Sequence, residues 1–503
     1  MENNTNSSPN PAPAPEATAP AKPATTLPSK SPKQILGLAT LILVPVLIIV
    51  LALIFWPSSG DSSAELSDNI NESSINWSTY TSSNIELTGS TKITSGGVYT
   101  LTGTITDGYV EINTDKDVKL ILSGVSITNS NGPAIYVANA DNVVIELAAG
   151  TTNTLTDSSI YSGWDEDVCA TLFSHDDLVL QGEGTLVVNG NYEDGIVGKD
   201  DLKVTSGNYV IDAKDDAFRG RDSVYIAGGN FTITSGGDGI KANNDSETGK
   251  GTILIDAGTL AISAGDDGIH AESSLEINGG VIDITKSYEG IEGANITING
   301  GTISVVSSDD GLNAAGGADA SSPNSARYQT ASGNYSLIIN GGTLSVTAQG
   351  DGIDSNGTLT FNGGTVTVDG PTNSANSALD AEGAVSYNGG EIIAVGASGM
   401  AVAPGSSSTG YSLSIFFSQT YSAKTVLTVK DAAGNTILEH ASAKSFQHAS
   451  LSSSNFQLGE TYTIYLNGAE YTSVTLSAPT TQVGQGGMGG GMMPGGQGGR
   501  AGR

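Results

Sequence analysis

Residues 265–306, GDDGIHAESSLEINGGVIDITKSYEGIEGANITINGGTISVV, contain two copies of one pattern. Each copy has an acid–glycine–isoleucine step, at Asp267 and at Glu289, and an Asn-Gly-Gly step, at Asn278 and at Asn299. Short β-branched runs separate the steps. The copies are about 22 residues apart, which is too short for a strand–helix–strand unit and indicates several short strands per repeat.

The same pattern extends well beyond this stretch. Its marker acids, in chain order, are Asp194, Asp216, Asp238, Asp267, Glu289, Asp310 and Asp351. Two longer intervals contain insertions, near residues 244–251 and 315–334. Single Asn-Gly pairs often form hairpins, but a phased series of them favours the coils of a right-handed parallel β-helix with about three strands per rung. A β-propeller needs about 40 residues per blade, which this period does not supply.

Composition agrees with an all-β fold. Of the 503 residues, 67 are glycine, 6% are aromatic and 14% are charged. The single cysteine, Cys169, excludes an intramolecular disulfide and is expected to be a small buried residue. The chain has 52 acidic and only 20 basic residues. Its surface would therefore repel phosphates, and nucleic acid is excluded as a partner.

The chain is expected to divide into six segments. An apolar run that begins at Ile35 and ends at Trp56 is long enough to span a bilayer, and the preceding lysines place the N-terminus in the cytoplasm. The bulk would then lie outside the membrane, at a bacterial cell surface. The predicted segments are a disordered tail (1–34), a transmembrane helix (35–56), a linker (57–84), the β-helix (85–400), a small antiparallel β module (405–480) and a disordered Gly/Met-rich tail (481–503).

The marker acids predict a calcium-binding ladder. Stacked rungs would bring their carboxylates to about 4.8 Å from one another, where a cation relieves their repulsion. Asp-Gly could instead serve only to make the turn. The acid persists, however, where glycine is lost at Ala217, and several acids are doubled. The candidate calcium ligands are Asp194, Asp215, Asp216, Asp238, Asp266, Asp267, Glu289, Asp309, Asp310 and Asp351.

A polar stripe is predicted beside this ladder. Residues two positions after each marker are apolar and should point inward, so the third and fifth positions should point outward. The candidate glycan-binding residues on that face are Lys199, Arg219, Arg221, Lys241, Asn243 and His270. Exposed strand positions are often simply polar. A cluster of basic groups beside calcium would nevertheless suit the carboxylates and hydroxyls of an acidic polysaccharide.

With the DDGI/GDGI and NGGT repeats in place, the chain resembles a bacterial family of carbohydrate-binding parallel β-helix proteins. That family is similar in fold to the family nine pectate lyases. The resemblance covers roughly residues 65–480 and implies a monomeric, calcium-dependent binder of acidic, pectin-type or cellulosic polysaccharide.

Two alternatives remain open at the level of sequence. In the related lyases a lysine removes the proton next to the uronate carboxylate, and Lys241 is the best candidate for that base, with Lys199 and Lys214 competing. No distinctive motif places this lysine, so enzymatic activity stays undecided. The other alternative is a structural adhesin or envelope spacer, in which the ladder only rigidifies the rod.

Overall fold

A computed structural model of the protein describes residues 74–315 and 334–485. After a short 3-10 helix, Trp77–Thr79, these residues form 39 β-strands. Each repeat contributes one strand to each of three parallel faces, and strand pairing joins equivalent strands of successive repeats. This all-β, mostly parallel arrangement is a β-helix-like coil, as the 22-residue period predicts. The right-handed sense of the coil stays a prediction.

Face 1 consists of the strands that begin at or just after the marker acids, together with the four equivalent strands upstream of them. Its strands are β2 (Thr91–Ile93), β4 (Val110–Asn113), β6 (Ile135–Asn139), β9 (Ala170–Ser174), β12 (Asp194–Gly198), β15 (Phe218–Gly220), β18 (Ile240–Ala242), the first parts of β21 (Ile269–Ile277) and β23 (Ile291–Ile298), β25 (Leu312–Ala314) and β28 (Ile353–Ser355).

Face 2 follows face 1 along the chain. Its strands are β1 (Ser82–Leu87), the first parts of β3 (Gly97–Ile105) and β5 (Val118–Thr128), β7 (Val143–Leu147), β10 (Leu178–Gly182), β13 (Asp201–Val204), β16 (Ser223–Ile226), β19 (Thr252–Ile255), the second parts of β21 and β23, β26 (Ser336–Ile339), β29 (Thr358–Phe361) and β31 (Val385–Tyr387).

Face 3 completes each repeat. It contains the second parts of β3 and β5, then β8 (Thr152–Thr156), β11 (Thr185–Gly190), β14 (Asn208–Ala213), β17 (Asn230–Ser235), β20 (Thr259–Ser263), β22 (Val281–Lys286), β24 (Thr302–Val306), β27 (Thr343–Thr347), β30 (Thr365–Asp369) and β32 (Glu391–Gly396).

One apolar core runs along the inside of the coil. The residues predicted to point inward two positions after each marker are fully buried, and they pair in register from rung to rung. They are Ile196, Phe218, Ile240, Ile269, Ile291, Leu312 and Ile353. Burial of each side chain contributes about 1.5–3 kcal/mol, so the stack fixes the register of the marker acids beside it.

The Asn-Gly-Gly steps form the turn from face 2 to face 3. From Asn299 onward, each asparagine donates its side-chain amide to the Oδ1 of the preceding rung's asparagine, at 2.7 Å from Asn299 to Asn278, 2.7 Å from Asn340 to Asn299 and 2.8 Å from Asn362 to Asn340. The second glycine of each step has positive φ, for example 94° at Gly280. That conformation favours glycine, which accounts for the second glycine of each step.

The C-terminal residues add an antiparallel module to the last rung. Strand β36 (Phe446–Ser453) pairs antiparallel with β32, and β33 (Ser412–Tyr421) and β39 (Thr480–Val483) extend the sheet. A separate four-stranded sheet has the order β35 (Thr436–Ala441), β34 (Val426–Lys430), β37 (Thr461–Leu466) and β38 (Ala469–Thr475). The module has its own apolar core and covers the edge that β32 would otherwise expose.

The described residues include no helix that is long and apolar enough to cross a membrane. The predicted transmembrane segment, residues 35–56, lies outside the described residues, as do both predicted disordered tails.

Candidate functional site

The marker acids lie at the turn from face 3 into face 1 and are more buried than acidic residues usually are. Asp194 and Asp267 are each 2% exposed, and Asp238 is 1% exposed. Burial without partners would cost several kcal/mol per ionised carboxylate, so the contacts of each oxygen decide the chemistry of this region.

One oxygen of each aspartate marker accepts a backbone N–H group of the following rung. The Oδ1 atoms of Asp194, Asp216 and Asp238 accept the N–H group of the next marker at 3.1, 2.8 and 2.8 Å. Asp267 does the same for Glu289 at 3.1 Å, and Asp310 for Asp351 at 2.6 Å. This ladder accounts for acids that persist where glycine is lost, because a turn propensity alone would not require a carboxylate.

The second oxygen of several markers meets a row of cationic side chains on the outside of face 1. Arg219, Lys241 and His270 pair in register on β15, β18 and β21. Arg219 contacts Asp194 and lies 3.8 Å from Asp216, while the Lys241 ammonium lies 2.6 Å from Asp238 and 3.9 Å from Asp216.

His270 continues this row with an imidazole that is 1% exposed. Its Nδ1 lies 3.0 Å from Asp267 and 2.8 Å from Glu292, and its Nε2 lies 3.6 Å from Glu272. Burial lowers the pKa of this imidazole, but the hydrogen bonds to Asp267, Glu272 and Glu292 outweigh burial and raise it. The raised pKa favours the imidazolium form of His270 among these carboxylates.

Electrostatic crowding also affects the carboxyl groups. Burial, followed by repulsion from Asp216, raises the pKa of Asp238 to about 8 despite its contact with Lys241. Burial raises the pKa of Asp194 to about 6, although the Arg219 charge opposes the shift. An additional cation nearby would stabilise the ionised form of these carboxyl groups.

Oxygen-lined cradles occur where a glycine precedes a marker. A Cβ atom on Gly237 would lie 2.3 Å from Asp215 Oδ1 and 2.7 Å from Asp216 Oδ1; one on Gly350 would lie 2.3 Å from Oδ1 of both Asp309 and Asp310. The absence of a side chain therefore lets two carboxylate oxygens approach each glycine closely, and a Cβ atom would displace them. One rung further, oxygens of Asp238, Asp266 and Asp267 lie within 4.8 Å of one another.

In the last described rungs of face 1, polar and acidic side chains take the positions of the cationic row. Asn313 and Asp354 continue the register of His270 and Glu292. Burial, then repulsion from Asp351, raises the pKa of Asp310 to about 8 and that of Asp354 to about 7. The Asn313 amide donates to Glu289 at 2.9 Å, and its buried Oδ1 has no hydrogen-bond partner among the described residues.

The predicted glycan-binding residues are divided between two places. Arg219, Lys241 and His270 lie in the row on face 1, whereas Lys199, Arg221 and Asn243 lie beyond the strand ends, at the corner that leads to face 2. Arg221 binds Asp222 and Glu247 at 3.1 and 3.2 Å. Strands β15 and β18 have only three residues, so the fifth position after the marker has already left the strand.

An aromatic cluster on the same face was not predicted from the sequence. The segment 157–169, between β8 and β9, lies over the outside of face 1 and packs Tyr161 and Trp164 near Tyr136 and Phe173. The sequence did contain a signal for this cluster. Two aromatic residues lie in one long interval between strands, in a chain that has few aromatic residues.

Comparisons with known proteins bear on the central part of the chain. Residues 88–324 match the model of a family described as carbohydrate-binding domain-containing protein. A protein of that description from Acetivibrio thermocellus is 37% identical over 164 residues, which cover 31% of this chain and 55% of the relative. The chain thus spans about half the length of that relative.

A solved structure, described as that of a polysaccharide lyase-like protein from C. thermocellum in a gadolinium derivative, has 34% sequence identity and a TM-score of 0.39. The match covers 44% of this chain and 92% of the solved chain. Residues 88–324 include the cationic row, the aromatic cluster and the markers from Asp194 to Asp310, and over this segment the chain is similar to carbohydrate-binding domain-containing proteins.

Proposed function

We propose that the protein is a calcium-dependent, cell-surface binder of an acidic, pectin-type polysaccharide, which lies along the outside of face 1. The observation that carries the proposal is the register between the marker acids and the cationic row, within the segment that is similar to carbohydrate-binding proteins. Acids supply ligands for the ion, and the cations and the ion together attract uronate carboxylates.

The oxygen geometry suits calcium better than zinc. Calcium takes six to eight oxygen ligands in flexible geometry, and the Gly237 and Gly350 cradles each bring two carboxylate oxygens together. The candidate ligands are therefore Asp215, Asp216 and Asp238 at one cradle and Asp309, Asp310 and Asp351 at the other. The cluster of Asp267, His270 and Glu292 is less suitable, because its hydrogen bonds to carboxylates raise the pKa of the imidazole and disfavour the neutral form that binds metal ions.

When bound, calcium would neutralise the local repulsion and bridge to a uronate carboxylate. Lys241 and Arg219 would provide direct contacts to the glycan, since each remains about one-fifth exposed. A lyase would need Lys241 as a neutral base. Its ammonium is surrounded by two carboxylates, which favours a binding role over proton abstraction.

Co-sedimentation of the full-length protein with insoluble polygalacturonate tests this proposal. The expected result is calcium-dependent binding that chelator removes and that Lys241→Gln weakens by about tenfold, as the loss of one charged contact predicts. Thr302→Ala, on the exposed side of face 3, serves as the matched control. Absence of binding in calcium, with calcium still raising the melting temperature, would favour the spacer alternative. Release of an unsaturated, ultraviolet-absorbing uronide would show the lyase activity instead.

A further inference from the structure

The aromatic cluster on face 1 has a rigid frame. The Tyr161 hydroxyl donates to Asp157 at 2.9 Å and to the Ala170 carbonyl at 3.0 Å. Trp164 Nε1 donates to the Asn131 carbonyl at 2.9 Å, and its ring lies over Gly132, where a Cβ atom would come within 2.2 Å of the indole. The loop therefore holds the indole in one position instead of leaving it to vary.

The cluster contains more aromatic rings than it buries. Phe173 and Val197 fill the base and are buried, but Tyr109, Tyr136, Tyr161, Trp164 and Tyr192 are only half-buried. Tyr161 and Tyr192 stack with centroids 4.3 Å apart and planes 12° apart. Trp164 meets Tyr109 and Tyr136 edge to face at 5.3 and 5.1 Å. Solvent thus contacts a continuous set of fixed rings.

Charge around the rings restricts the ligand. Asp167 is 42% exposed and lies 3.7 Å from Lys199, which offsets part of its charge, and 3.8 Å from His175. Asp165 and Glu166 beside it are exposed, so the acids that border the indole keep an excess of negative charge. They would repel a uronate, but their carboxylates can accept hydrogen bonds from sugar hydroxyls. The C–H face of a pyranose is complementary to an aromatic ring, which is apolar and carries negative charge on its face.

We propose that Trp164, with Tyr161 and Tyr192, forms a subsite for a neutral glycan, distinct from the calcium-bridged site for uronates. The inference rests on the proposed function, since both places lie on face 1. It assigns the aromatic end of the face to a neutral hydroxyl-rich sugar and the acid ladder to charged sugars.

The test uses full-length protein, cellohexaose as the neutral probe and a galacturonate oligomer with calcium as the acidic probe. Trp164→Phe keeps an aromatic ring with a smaller surface, and Tyr192→Ala removes the stacked ring from the edge of the cluster. Each is expected to weaken cellohexaose binding at least about tenfold in calorimetric titration, as for aromatic anchors at other interfaces, and to leave galacturonate binding unchanged. Tyr465→Ala, a half-buried tyrosine of the C-terminal module, is the matched control and should bind both probes normally.

Cellohexaose binding that is absent, or unchanged in both variants, would overturn the neutral subsite while leaving the calcium-dependent site intact. Loss of galacturonate binding in both variants, at unchanged melting temperature, would also overturn it, because the rings would then belong to the acidic site.

Discussion

At the scale of single residues, the marker carboxylates combine two tasks that sequence patterns do not separate. One oxygen accepts a backbone N–H group of the next rung, while the other faces Arg219, Lys241 or His270. The first task gives the aspartate markers a structural role that needs no ligand. The second makes the local charge depend on which side chain lies three residues further on.

The asparagine ladder provides a structural prediction at this scale. The Asn299 amide donates to Asn278 and, at 2.9 Å, to Glu276, and the Asn299 carbonyl oxygen accepts from Asn340. Asn299→Ala removes these bonds at a solvent-exposed position and should lower the free energy of unfolding by about 1–2 kcal/mol. Chemical denaturation checks this, with Thr302→Ala on the neighbouring exposed strand as control. A loss no larger than that of the control would show that the ladder adds no stability.

At the scale of elements, the C-terminal module is fixed to the coil by a buried polar contact. Asp369, at the end of β30, is 6% exposed and accepts from Ser442 at 2.7 Å; its two oxygens lie 3.1 Å from His440 Nε2. Burial opposes ionisation, but the hydrogen bonds from His440 and Ser442 prevail and lower the pKa of Asp369.

A carboxyl whose pKa is lower in the folded state stabilises folding above its unfolded pKa, and that stability disappears as pH falls through the folded pKa. Asp369→Asn should therefore destabilise the protein by about 2 kcal/mol at neutral pH and by less in acid, where the wild-type carboxyl also loses its charge. Thermal melting between neutral and strongly acidic pH measures this difference. An equal loss at every pH would mean that packing, not the charge, fixes the module.

The sequence predicted the coil because the period, the inward apolar residues and the asparagine phase all recur. It did not predict which acid each cation would contact, since Arg219 reaches back to Asp194, 25 residues earlier. That contact depends on the relative position of two neighbouring rungs in three dimensions. The contact of Asp369 with His440 spans 71 residues between unlike elements, so no periodicity could reveal it.

At the scale of the whole molecule, face 1 changes its chemistry along the coil. Along the described part of face 1, aromatic rings come first, then the row of cations bound to acids, and then buried acids such as Asp310 and Asp354. A polysaccharide is itself a repeating polymer, so a repeating face can contact several sugar units in register. This gradation supports one extended binding face over a single enclosed pocket.

If calcium in the ladder bridges an acidic glycan, Gly237→Ala should weaken glycan binding without altering any charge. Its new Cβ would displace the Asp215 and Asp216 oxygens at the first cradle. Gly89→Ala, with no atom within 4 Å of its Cβ, is the matched control.

The measurement is calorimetric titration of a galacturonate oligomer into full-length protein in calcium and in chelator. The oligomer is expected to bind in calcium and not in chelator. In calcium its affinity should be at least about tenfold lower for Gly237→Ala and unchanged for Gly89→Ala. Equal affinity with and without calcium, or full affinity in Gly237→Ala, would contradict it.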